Sequence, residues 1–345
     1  MPTAQGVCYS GPEQLELRTI EVPEPGPEDV LLRVAACGVC GSDLHQFHGR
    51  WSQPEGVSGH EISAVVERVG SNVTELQQND KVILEPIVRC GRCRYCQTGR
   101  YQHCESGSFI SEASDGGFAQ LMRVPSYCCY KLGADVDLPL GAFGEPLAVG
   151  LHAVRLARPN GEDTVLVIGA GTIGLMTVAA AKAMGAGRII ATAKYDHQGD
   201  AARALGADEV LPVGDGLNER VAEICGDGPD FVIETVGTVG GATEQALQLA
   251  RPLGTVVLVG GITGPCEINL APIIGKELTI LGSPCYGQIG LRGDFEIAAE
   301  LLSTGAVDVA PLVTARYPLE QIQEAFIAAD DKSTGAIKVL ILPNG

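Results

Sequence analysis

The hydrophobic positions of this chain follow two different patterns, and the change occurs near Leu151. From Ile20 to about Pro86, short β-rich runs such as VLLRVAA, ISAVVERV and KVIL are separated by turns of Pro, Gly and Asn-Asp. Runs of this kind, bounded by turn residues, predict strands. From Leu151 onwards, the run TVLVI opens a regular alternation with helical patterns such as LMTVAAAKAMG, GDAARALG and ATEQALQLA. This alternation predicts a doubly wound parallel sheet.

The second pattern continues through five more apolar runs, RIIATA, EVL, FVIETV, TVVLVG and LTILGS. After about Gly287 the first pattern returns, with a helix, DFEIAAELLSTG, and a last strand, AIKVLIL. A chain of 345 residues is too long for one typical core and fits two domains. We therefore predict an α/β protein in which residues 151–287 form the doubly wound sheet, while residues 1–150 and 288–345 form a β-rich domain.

Charge and composition exclude several kinds of partner. The formal net charge is −18, whereas a surface that binds phosphate backbones needs a basic surplus. We therefore expect neither a nucleic-acid partner nor an anionic membrane. We find no apolar run long enough for a bilayer and no signal-peptide pattern at the start, so we expect a cytoplasmic protein. Because the cytoplasm keeps thiols reduced, its 12 cysteines suggest a use other than disulfides.

Four of the cysteines lie close together in CGRCRYCQTGRYQHC, at Cys90, Cys93, Cys96 and Cys104. Two C-x2-C steps share Cys93, so a tight loop can place three thiols around one ion while the fourth completes a tetrahedron. Four thiolates leave no open position on the metal. We therefore predict a structural zinc ion in a lobe of residues 88–106, the alternative being a chance cluster of thiols.

A glycine-rich loop, GAGTIG from Gly169 to Gly174, follows the buried run VLVI and opens a helical pattern. In this context G-x-G-x-x-G predicts a dinucleotide site. Gly169 makes the turn, Gly171 lets the backbone approach a pyrophosphate, and Gly174 allows close packing of helix on strand. The pyrophosphate is expected at the positive end of the helix. The alternative is a plain strand-to-helix turn.

The second strand of this domain, RIIATA, ends at Ala193, where an acid usually binds the adenosine ribose of NAD. Ala193 removes that negative charge, and Lys194 adds a positive one that suits the 2′-phosphate of NADP. We therefore predict NADP(H), more than NAD(H), as the cofactor. The alternative is that Asp196 serves NAD. The predicted cofactor contacts are Gly169, Gly171, Thr172, Ile173, Gly174, Ala193, Lys194, His197, Val236 and Gly260.

Three separate segments supply further candidate ligands: GVCGSDLH, GHE and GEPLA. Together they offer one thiolate, one imidazole and two carboxylates. A catalytic zinc ion needs three protein ligands and one position left for water or substrate. These segments therefore predict a second, catalytic metal site.

With these motifs, the chain resembles the zinc-dependent medium-chain alcohol dehydrogenases, and within them the sorbitol and polyol dehydrogenase branch. The stretch YCCYKL followed by GAFGEPLAVGLHA is particularly similar to the sorbitol dehydrogenases. The resemblance covers essentially the whole length. It implies a GroES-like β-rich catalytic domain, with an inserted Rossmann domain that binds the nicotinamide cofactor.

The resemblance also assigns metal ligands to individual positions. Cys40 and His60 match the first two ligands of the catalytic zinc, and either Glu61 or Glu145 matches the third. The family's structural zinc site is matched by all four clustered cysteines, Cys90, Cys93, Cys96 and Cys104. Two zinc ions per chain are therefore expected.

Three further residues match the proton pathway and the support of the metal. Ser42 matches the hydroxyl that takes the substrate proton, and His45 matches the relay to solvent. Asp43 matches an acid that orients the ligand histidine. The resemblance also implies a homotetramer or homodimer, with the run TILGS near the subunit contact.

The predicted function is a zinc-dependent oxidoreductase that transfers hydride between NADP(H) and a secondary alcohol or polyol and its ketone. Animal sorbitol dehydrogenases carry an Arg–Tyr pair where this chain has Cys285-Tyr286, which argues against sorbitol itself. Three alternatives stand beside this prediction: an NAD-dependent sorbitol- or butanediol-type dehydrogenase, a zinc-free quinone or enoyl reductase, and a non-catalytic redox-sensing or storage protein.

Overall fold

The computed structural model describes residues 2–113, 115–237 and 241–345. The chain divides into two compact units, one formed by Met1–Glu145 with Gly287–Gly345 and the other by Pro146–Tyr286. The sequence placed these boundaries after residues 150 and 287. The first division lies inside a helix, Gly144–Ala157, between Glu145 and Pro146.

The elements are numbered in chain order. The strands are β1 (Thr3–Gly11), β2 (Gln14–Glu21), β3 (Asp29–Gly38), β4 (Glu61–Val69), β5 (Lys81–Leu84), β6 (Ile87–Val88), β7 (Ser108–Phe109), β8 (Leu121–Pro125), β9 (Cys129–Lys131), β10 (Thr164–Ile168), β11 (Arg188–Ala193), β12 (Glu209–Pro212), β13 (Phe231–Glu234), β14 (Thr255–Leu258), β15 (Thr279–Gly282), β16 (Gln288–Ile289), β17 (Arg292–Gly293), β18 (Val313–Pro318) and β19 (Lys338–Leu342). The α-helices are α1 (Gly41–Phe47), α2 (Arg94–Gln97), α3 (Ile110–Ala113), α4 (Gly144–Ala157), α5 (Thr172–Ala183), α6 (Asp196–Ala204), α7 (Leu217–Cys225), α8 (Gly241–Leu249), α9 (Ala271–Gly275), α10 (Asp294–Ser303) and α11 (Ile322–Asp330). Short 3₁₀ turns lie at Tyr101–His103, Ser126–Cys128, Leu138–Phe143, Ala310–Leu312, Leu319–Gln321 and Lys332–Thr334.

The first unit is built on a sheet with the strand order β18-β19-β3-β4-β5-β9, and β8 pairs with β3. Strand β3 lies between β19 and β4, and both neighbours run antiparallel to it. The register places Gly38 opposite Glu61 on one side and opposite Leu340 on the other. Because of this register, residues from distant parts of the sequence meet at the end of β3.

The hairpin of β1 and β2 was not predicted, since the strand pattern was traced only from Ile20. Strand β2 is exposed along most of its length and therefore lacks an apolar face that could reveal it. Strand β1, in contrast, contributes Val7, Cys8 and Tyr9 to the core of this unit.

The second unit is a parallel sheet with the order β12-β11-β10-β13-β14-β15. Its central strand β10 is buried at every position after Thr164, as expected for a parallel strand covered on both faces. From β10 the chain adds β11 and β12 on one side of the sheet and then β13, β14 and β15 on the other. This order is that of a doubly wound dinucleotide-binding fold. The predicted α/β class, with a doubly wound parallel sheet and a β-rich domain, is confirmed. Among the helices of the described residues, none combines the length and apolar surface that a bilayer crossing requires.

Candidate metal centres and dinucleotide loop

Three candidate ligands of the first unit meet at the end of β3. Cys40 precedes α1, His60 precedes β4, and Glu61 is the first residue of that strand. One donor atom from each of the three lies within 4.8 Å of the others. His60 and Glu61 are buried, whereas Cys40 is partly exposed. A thiol, an imidazole and a carboxylate at this spacing form a donor set that fits zinc.

The close approach of Glu61 to β3 depends on a glycine. A Cβ atom on Gly38 would lie 2.0 Å from the Oε2 atom of Glu61. No side chain can occupy that position without moving the carboxylate. Gly38 therefore makes room for Glu61 beside the other two donors.

The two ring nitrogens of His60 face different partners. Its Nδ1 lies 3.7 Å from the Oδ1 of Asp43, and its Nε2 lies 3.4 Å from the hydroxyl of Ser42. Burial lowers the pKa of His60, but the charges of Asp43 and Cys40 outweigh this and raise that pKa well above its usual value. A metal ion would have to displace the proton that this arrangement favours.

Asp43 is itself held in place from two sides. It is 1% exposed, and it accepts hydrogen bonds from the backbone N–H of Cys40 at 2.9 Å and from the hydroxyl of Ser58 at 3.3 Å. The carboxylate therefore binds the backbone of Cys40 while it also lies beside the ring of His60. The orienting role that the resemblance implies for Asp43 stays a prediction.

The second candidate carboxylate, Glu145, lies near the start of α4 and is 6% exposed. Burial raises its pKa to about 7, although His60 lowers it in part. Among the described residues, the group whose donors lie mutually within 4.8 Å contains Glu61 and not Glu145. The choice between the two carboxylates as zinc ligand stays a prediction.

His45, the predicted proton relay, lies on α1 with its ring against Trp51, at a centroid distance of 4.8 Å. Its Nδ1 is buried and has no hydrogen-bond partner among the described residues. Burial, with a further contribution from Arg50, lowers the pKa of His45. The neutral form of the ring is therefore favoured, and in that form it can both accept and donate a proton.

The four clustered cysteines of the lobe lie at metal-binding spacing. The sulfur atoms of Cys93 and Cys96 are 3.5 Å apart, and those of Cys93–Cys104 and Cys90–Cys96 are each 3.9 Å apart. Four thiolates around zinc, each about 2.3 Å from the metal, would lie about 3.8 Å apart. The donor set and spacing therefore fit a closed tetrahedral zinc site. Backbone N–H groups of Arg92 and Cys93 lower the pKa of the Cys90 thiol to about 6, which favours the thiolate.

The lobe is joined to the rest of the first unit through Arg89, the residue before the first thiol. Its guanidinium contacts the fully buried carboxylate of Glu85 at 2.9 Å. It also lies over two rings, 4.2 Å from the centroid of Tyr101 and 4.8 Å from that of Tyr127. The Tyr127 hydroxyl accepts a hydrogen bond from the backbone N–H of Arg89 and donates one to its carbonyl. Both the side chain and the backbone of Arg89 are therefore fixed.

In the second unit, the glycine loop joins β10 to α5 with the expected geometry. Gly169 has a φ of +98°, and a Cβ atom on it would lie 2.6 Å from Val236. A Cβ atom on Gly174 would lie 1.8 Å from the carbonyl oxygen of Gly169, so only glycine fits there. A Cβ atom on Gly171, by contrast, would meet nothing within 4 Å among the described residues. The open space at Gly171 fits a pyrophosphate that approaches the backbone at the start of the helix, where Thr172 and Ile173 follow.

The predicted cofactor-selecting residues lie where the sequence placed the end of the second strand. Strand β11 ends at Ala193, which is buried, and Lys194 follows it in an exposed position. The Lys194 ammonium lies 5.3 Å from the ring centroid of Tyr195. The His197 ring stacks on the same Tyr195 ring, with 5.5 Å between the two centroids. Asp196 is the first residue of α6, where a carboxylate is favoured by the helix dipole.

Two other predicted contacts follow the next strands. Val236 is 46% exposed after β13, and its N–H donates to the buried carboxylate of Glu234 at 2.6 Å. Gly260 follows β14, and a Cβ atom on it would lie 2.1 Å from the backbone nitrogen of Gly237. Both residues thus lie at the carboxyl end of the sheet, where ligands bind in this fold.

Two family models match the chain. The alcohol dehydrogenase GroES-like domain matches residues 26–134, and the zinc-binding dehydrogenase domain matches residues 172–304. An L-idonate 5-dehydrogenase of Vitis vinifera is 36% identical over 96% of this chain and 92% of its own length. The chain belongs to the zinc-dependent medium-chain dehydrogenases. It is therefore an oxidoreductase, and the predicted family is confirmed.

Other members of this family share the whole architecture. A sorbitol dehydrogenase of Bos taurus is 35% identical over 99% of this chain and 96% of that protein. The crystal structure of a zinc-binding dehydrogenase from Sinorhizobium meliloti 1021, bound to NADP, is 33% identical and covers 99% of this chain and 100% of its own, with a TM-score of 0.89. The likeness places this chain in the sorbitol-like branch.

The sequence did not reveal one residue of the metal centre, Lys338. Its ammonium donates to the carboxylate of Glu61, although the two residues are 277 positions apart. The only available signal was a lysine inside the apolar run AIKVLIL. A charged residue at a buried strand position indicates a buried partner, but the sequence does not show which.

Proposed function

We propose that this protein is an NADP(H)-dependent zinc dehydrogenase that exchanges hydride between the cofactor and a secondary alcohol or polyol and its ketone. The observation that carries the cofactor choice is the end of β11, where Ala193 is followed by an exposed Lys194. A carboxylate at this place would repel the 2′-phosphate of NADP, and a small residue with a cation beside it would accommodate that group.

The substrate class is supported by the named relatives and by one difference from them. Relatives over nearly the full length are named as dehydrogenases of sorbitol and idonate and as a D-xylulose reductase. A polyol or sugar acid with its keto form is common to these names. Cys285 cannot supply the guanidinium that animal sorbitol dehydrogenases bring to this segment. We therefore propose as substrate a polyol with a vicinal diol, other than sorbitol, or the corresponding keto sugar.

Two zinc ions per chain complete the proposal. Cys90, Cys93, Cys96 and Cys104 would hold the structural ion. Cys40 and His60, with Glu61 or Glu145, would hold the catalytic ion. The catalytic ion, when bound, would polarise the oxygen of the alcohol or ketone, and the nicotinamide would carry the hydride.

Residues of α1 would move the substrate proton. Ser42 lies beside the Nε2 atom of His60, so its hydroxyl is close to the side of the imidazole that would face the metal. It can accept a proton from a substrate hydroxyl while it donates its own. His45 lies on the same helix, and its imidazole, whose Nδ1 has no partner among the described residues, could take the proton onwards from Ser42.

We propose further that the chain forms a homo-oligomer through the edge of its parallel sheet. Strand β15 is the last strand of that sheet and has no neighbour on its outer side among the described residues. Beside it in sequence, Leu270 is 58% exposed and Ile274 is 83% exposed. An unpaired edge next to exposed apolar side chains suits pairing with a second copy.

A cofactor titration tests the proposal most directly. NADPH and NADH are titrated separately into the purified protein and into Lys194→Ala, with nicotinamide fluorescence as the signal. We expect NADPH to bind at least about tenfold more tightly, a difference of about 1.4 kcal/mol, and we expect Lys194→Ala to abolish that difference. Lys182→Ala, an exposed lysine near the end of α5, is the matched control and should keep it.

Equal or tighter binding of NADH would contradict the NADP assignment and make Asp196 the ribose ligand. Metal analysis of the same protein separates the rival classes. About two zinc ions per chain are expected from the two donor sets. A single ion that survives Cys40→Ser would instead favour a zinc-free reductase or a non-catalytic protein.

A further inference from the structure

Lys338, at the start of the last strand, is a buried cation that the proposed reaction does not use. It is 2% exposed. Its ammonium donates hydrogen bonds to both carboxylate oxygens of Glu61, at 2.7 and 2.5 Å, and to the carbonyl of Val39 at 3.2 Å. These three bonds use all three protons of an ammonium group. Lys338 is therefore fully occupied, and mainly by one carboxylate.

The sheet register fixes this contact. Strand β19 pairs with β3 at Gly38, and Glu61 pairs with the same residue from the other side. Since Gly38 has no side chain, nothing separates the Glu61 carboxylate from that end of β3. Lys338 thus reaches the carboxylate from the strand on one side of β3 while Glu61 approaches from the other.

The same carboxylate faces the metal centre. Glu61 offers an oxygen within 4.8 Å of the donors of Cys40 and His60. Both of its oxygens are also bonded to Lys338, so a metal ion at this centre and the ammonium would share one carboxylate. A second buried carboxylate, Glu145, acts electrostatically on both His60 and Lys338 and is the other candidate ligand that the sequence suggested.

We propose that Lys338 is a positioning residue that acts through Glu61: it competes with the catalytic metal ion for this carboxylate and so keeps Glu61 a weak, displaceable ligand. The inference rests on the proposed function, in which the centre formed with Cys40 and His60 binds zinc.

The physical argument has two parts. A buried ammonium in contact with a ligand repels a nearby metal cation, and the low polarity of the surroundings strengthens the repulsion. Its hydrogen bonds also occupy lone pairs that Glu61 would otherwise present to the metal. A catalytic zinc ion needs one exchangeable position for substrate. A carboxylate held by Lys338 in this way would be easier to displace from a bound metal ion.

The test is the rate at which zinc leaves the catalytic centre of the holoenzyme. Excess chelator is added together with a chromogenic zinc indicator, and the release phase that belongs to this centre is identified as the one that Cys40→Ser removes. We expect Lys338→Met and Lys338→Gln, both neutral, to slow that phase at least about tenfold. Lys338→Arg keeps the charge and should leave the rate within about twofold of the wild type. The phase that comes from the four-cysteine lobe should not change in any variant.

A second measurement records how the metal is bound. Cobalt(II) replaces zinc at the catalytic centre, and the visible absorption bands report its ligands. We expect the two neutral variants to share a changed spectrum and Lys338→Arg to retain the wild-type spectrum. A residue with a merely structural role would alter stability without this pattern.

The outcomes separate the two proposals. If no release phase depends on Cys40, the zinc assignment fails, whatever Lys338 does. If the phase exists and both neutral variants release zinc as fast as the wild type, faster, or are isolated without that zinc, the competition by Lys338 is overturned. Such a result would mean that Lys338 holds Glu61 in place for the metal instead of withholding it.

Discussion

The Oδ1 atom of Asp43 lies 3.7 Å from the Nδ1 atom of His60, and the same carboxylate binds the backbone N–H of Cys40. One buried acid therefore supports two candidate zinc ligands. Partners of this kind fix the orientation of the ring and raise its basicity as a ligand, and their loss typically lowers metal affinity about 10- to 100-fold.

We accordingly expect Asp43→Asn to weaken zinc binding at the Cys40 centre by a factor in that range while the lobe keeps its ion. Competition with a chelator of known affinity measures both sites. Asp29→Asn is the control, because Asp29 is partly exposed and its nearest cation, Arg123, is 3.7 Å away. Unchanged zinc affinity in Asp43→Asn would show that the geometry does not depend on this acid.

The glycine loop allows a contrast between two similar substitutions. Gly174→Ala places a methyl group 1.8 Å from a backbone oxygen, so we expect it to lower the melting temperature of the protein. In Gly171→Ala the methyl group lies more than 4 Å from every atom of the described residues outside its chain neighbours, and the φ of −74° at this position suits any residue. We expect normal stability but at least about tenfold weaker NADPH binding, because the methyl group fills the space of the pyrophosphate.

Calorimetry and cofactor titration of both variants check this contrast. Normal NADPH binding by Gly171→Ala would place the pyrophosphate elsewhere.

The buried pair of Glu85 and Arg89 should determine how firmly the metal lobe is attached. Arg89→Met leaves the carboxylate of Glu85, which is fully buried, without its cation. Breaking such a pair costs about 3 kcal/mol or more. We expect this loss in the free energy of unfolding by denaturant, and we expect Glu85→Gln combined with Arg89→Met to restore part of it.

The control for this prediction is Arg94→Met. Arg94 lies 3.6 Å from Glu105, and both side chains are largely exposed. An exposed pair of this kind contributes at most about 1 kcal/mol. Equal effects of the two arginine substitutions would contradict the importance of the buried network.

The raised pKa of Glu145 predicts a pH dependence of stability in the zinc-free protein. Burial raises this pKa from 4.5 to about 7, so the folded chain binds the proton more tightly than the unfolded chain. The resulting stabilisation is complete below about pH 4.5 and is lost as the pH rises through about 7, a change of about 3 kcal/mol. Glu145→Gln cannot lose a proton and should lack this component. Denaturant unfolding of both proteins at pH 4.5 and pH 8 measures the difference, and identical pH dependence would contradict it.

The exposed apolar residues beside β15 predict the site of self-association. We expect Ile274→Glu to shift the protein towards monomer in sedimentation velocity, because a charge in a subunit contact is costly to bury. Val213→Glu is the control, since Val213 is 46% exposed but follows β12 at the opposite edge of the sheet. Dissociation by the control alone, or by neither variant, would argue against the β15 edge.

Local patterns made most of the fold predictable. The parallel strands are continuous apolar runs. In the loop GAGTIG, the backbone conformation at Gly169 and the close packing at Gly174 both require glycine. The metal site of the four clustered cysteines could be predicted from their spacing alone. In each of these cases the chemistry lies within a short stretch of sequence.

The residues that escaped prediction depend on contacts between distant segments. Lys338 approaches Glu61 only because β19 and β4 both pair with β3. Arg89 shows no sign in the sequence of its sandwich between Tyr101 and Tyr127. Tertiary pairing decides such contacts, and no local periodicity encodes it.

The two candidate zinc sites also differ in how their donors are distributed along the chain, which has a consequence for biosynthesis. The lobe takes all four thiols from the continuous segment between Cys90 and Cys104. A short loop closes at little entropic cost, so this segment can capture its ion while the chain is still emerging from the ribosome. The other centre needs Cys40, His60 and a sheet that is complete only with β19 near the end of the chain. Metal loading should therefore follow a fixed order during synthesis, with the lobe first and the Cys40 centre only once β19 has been made.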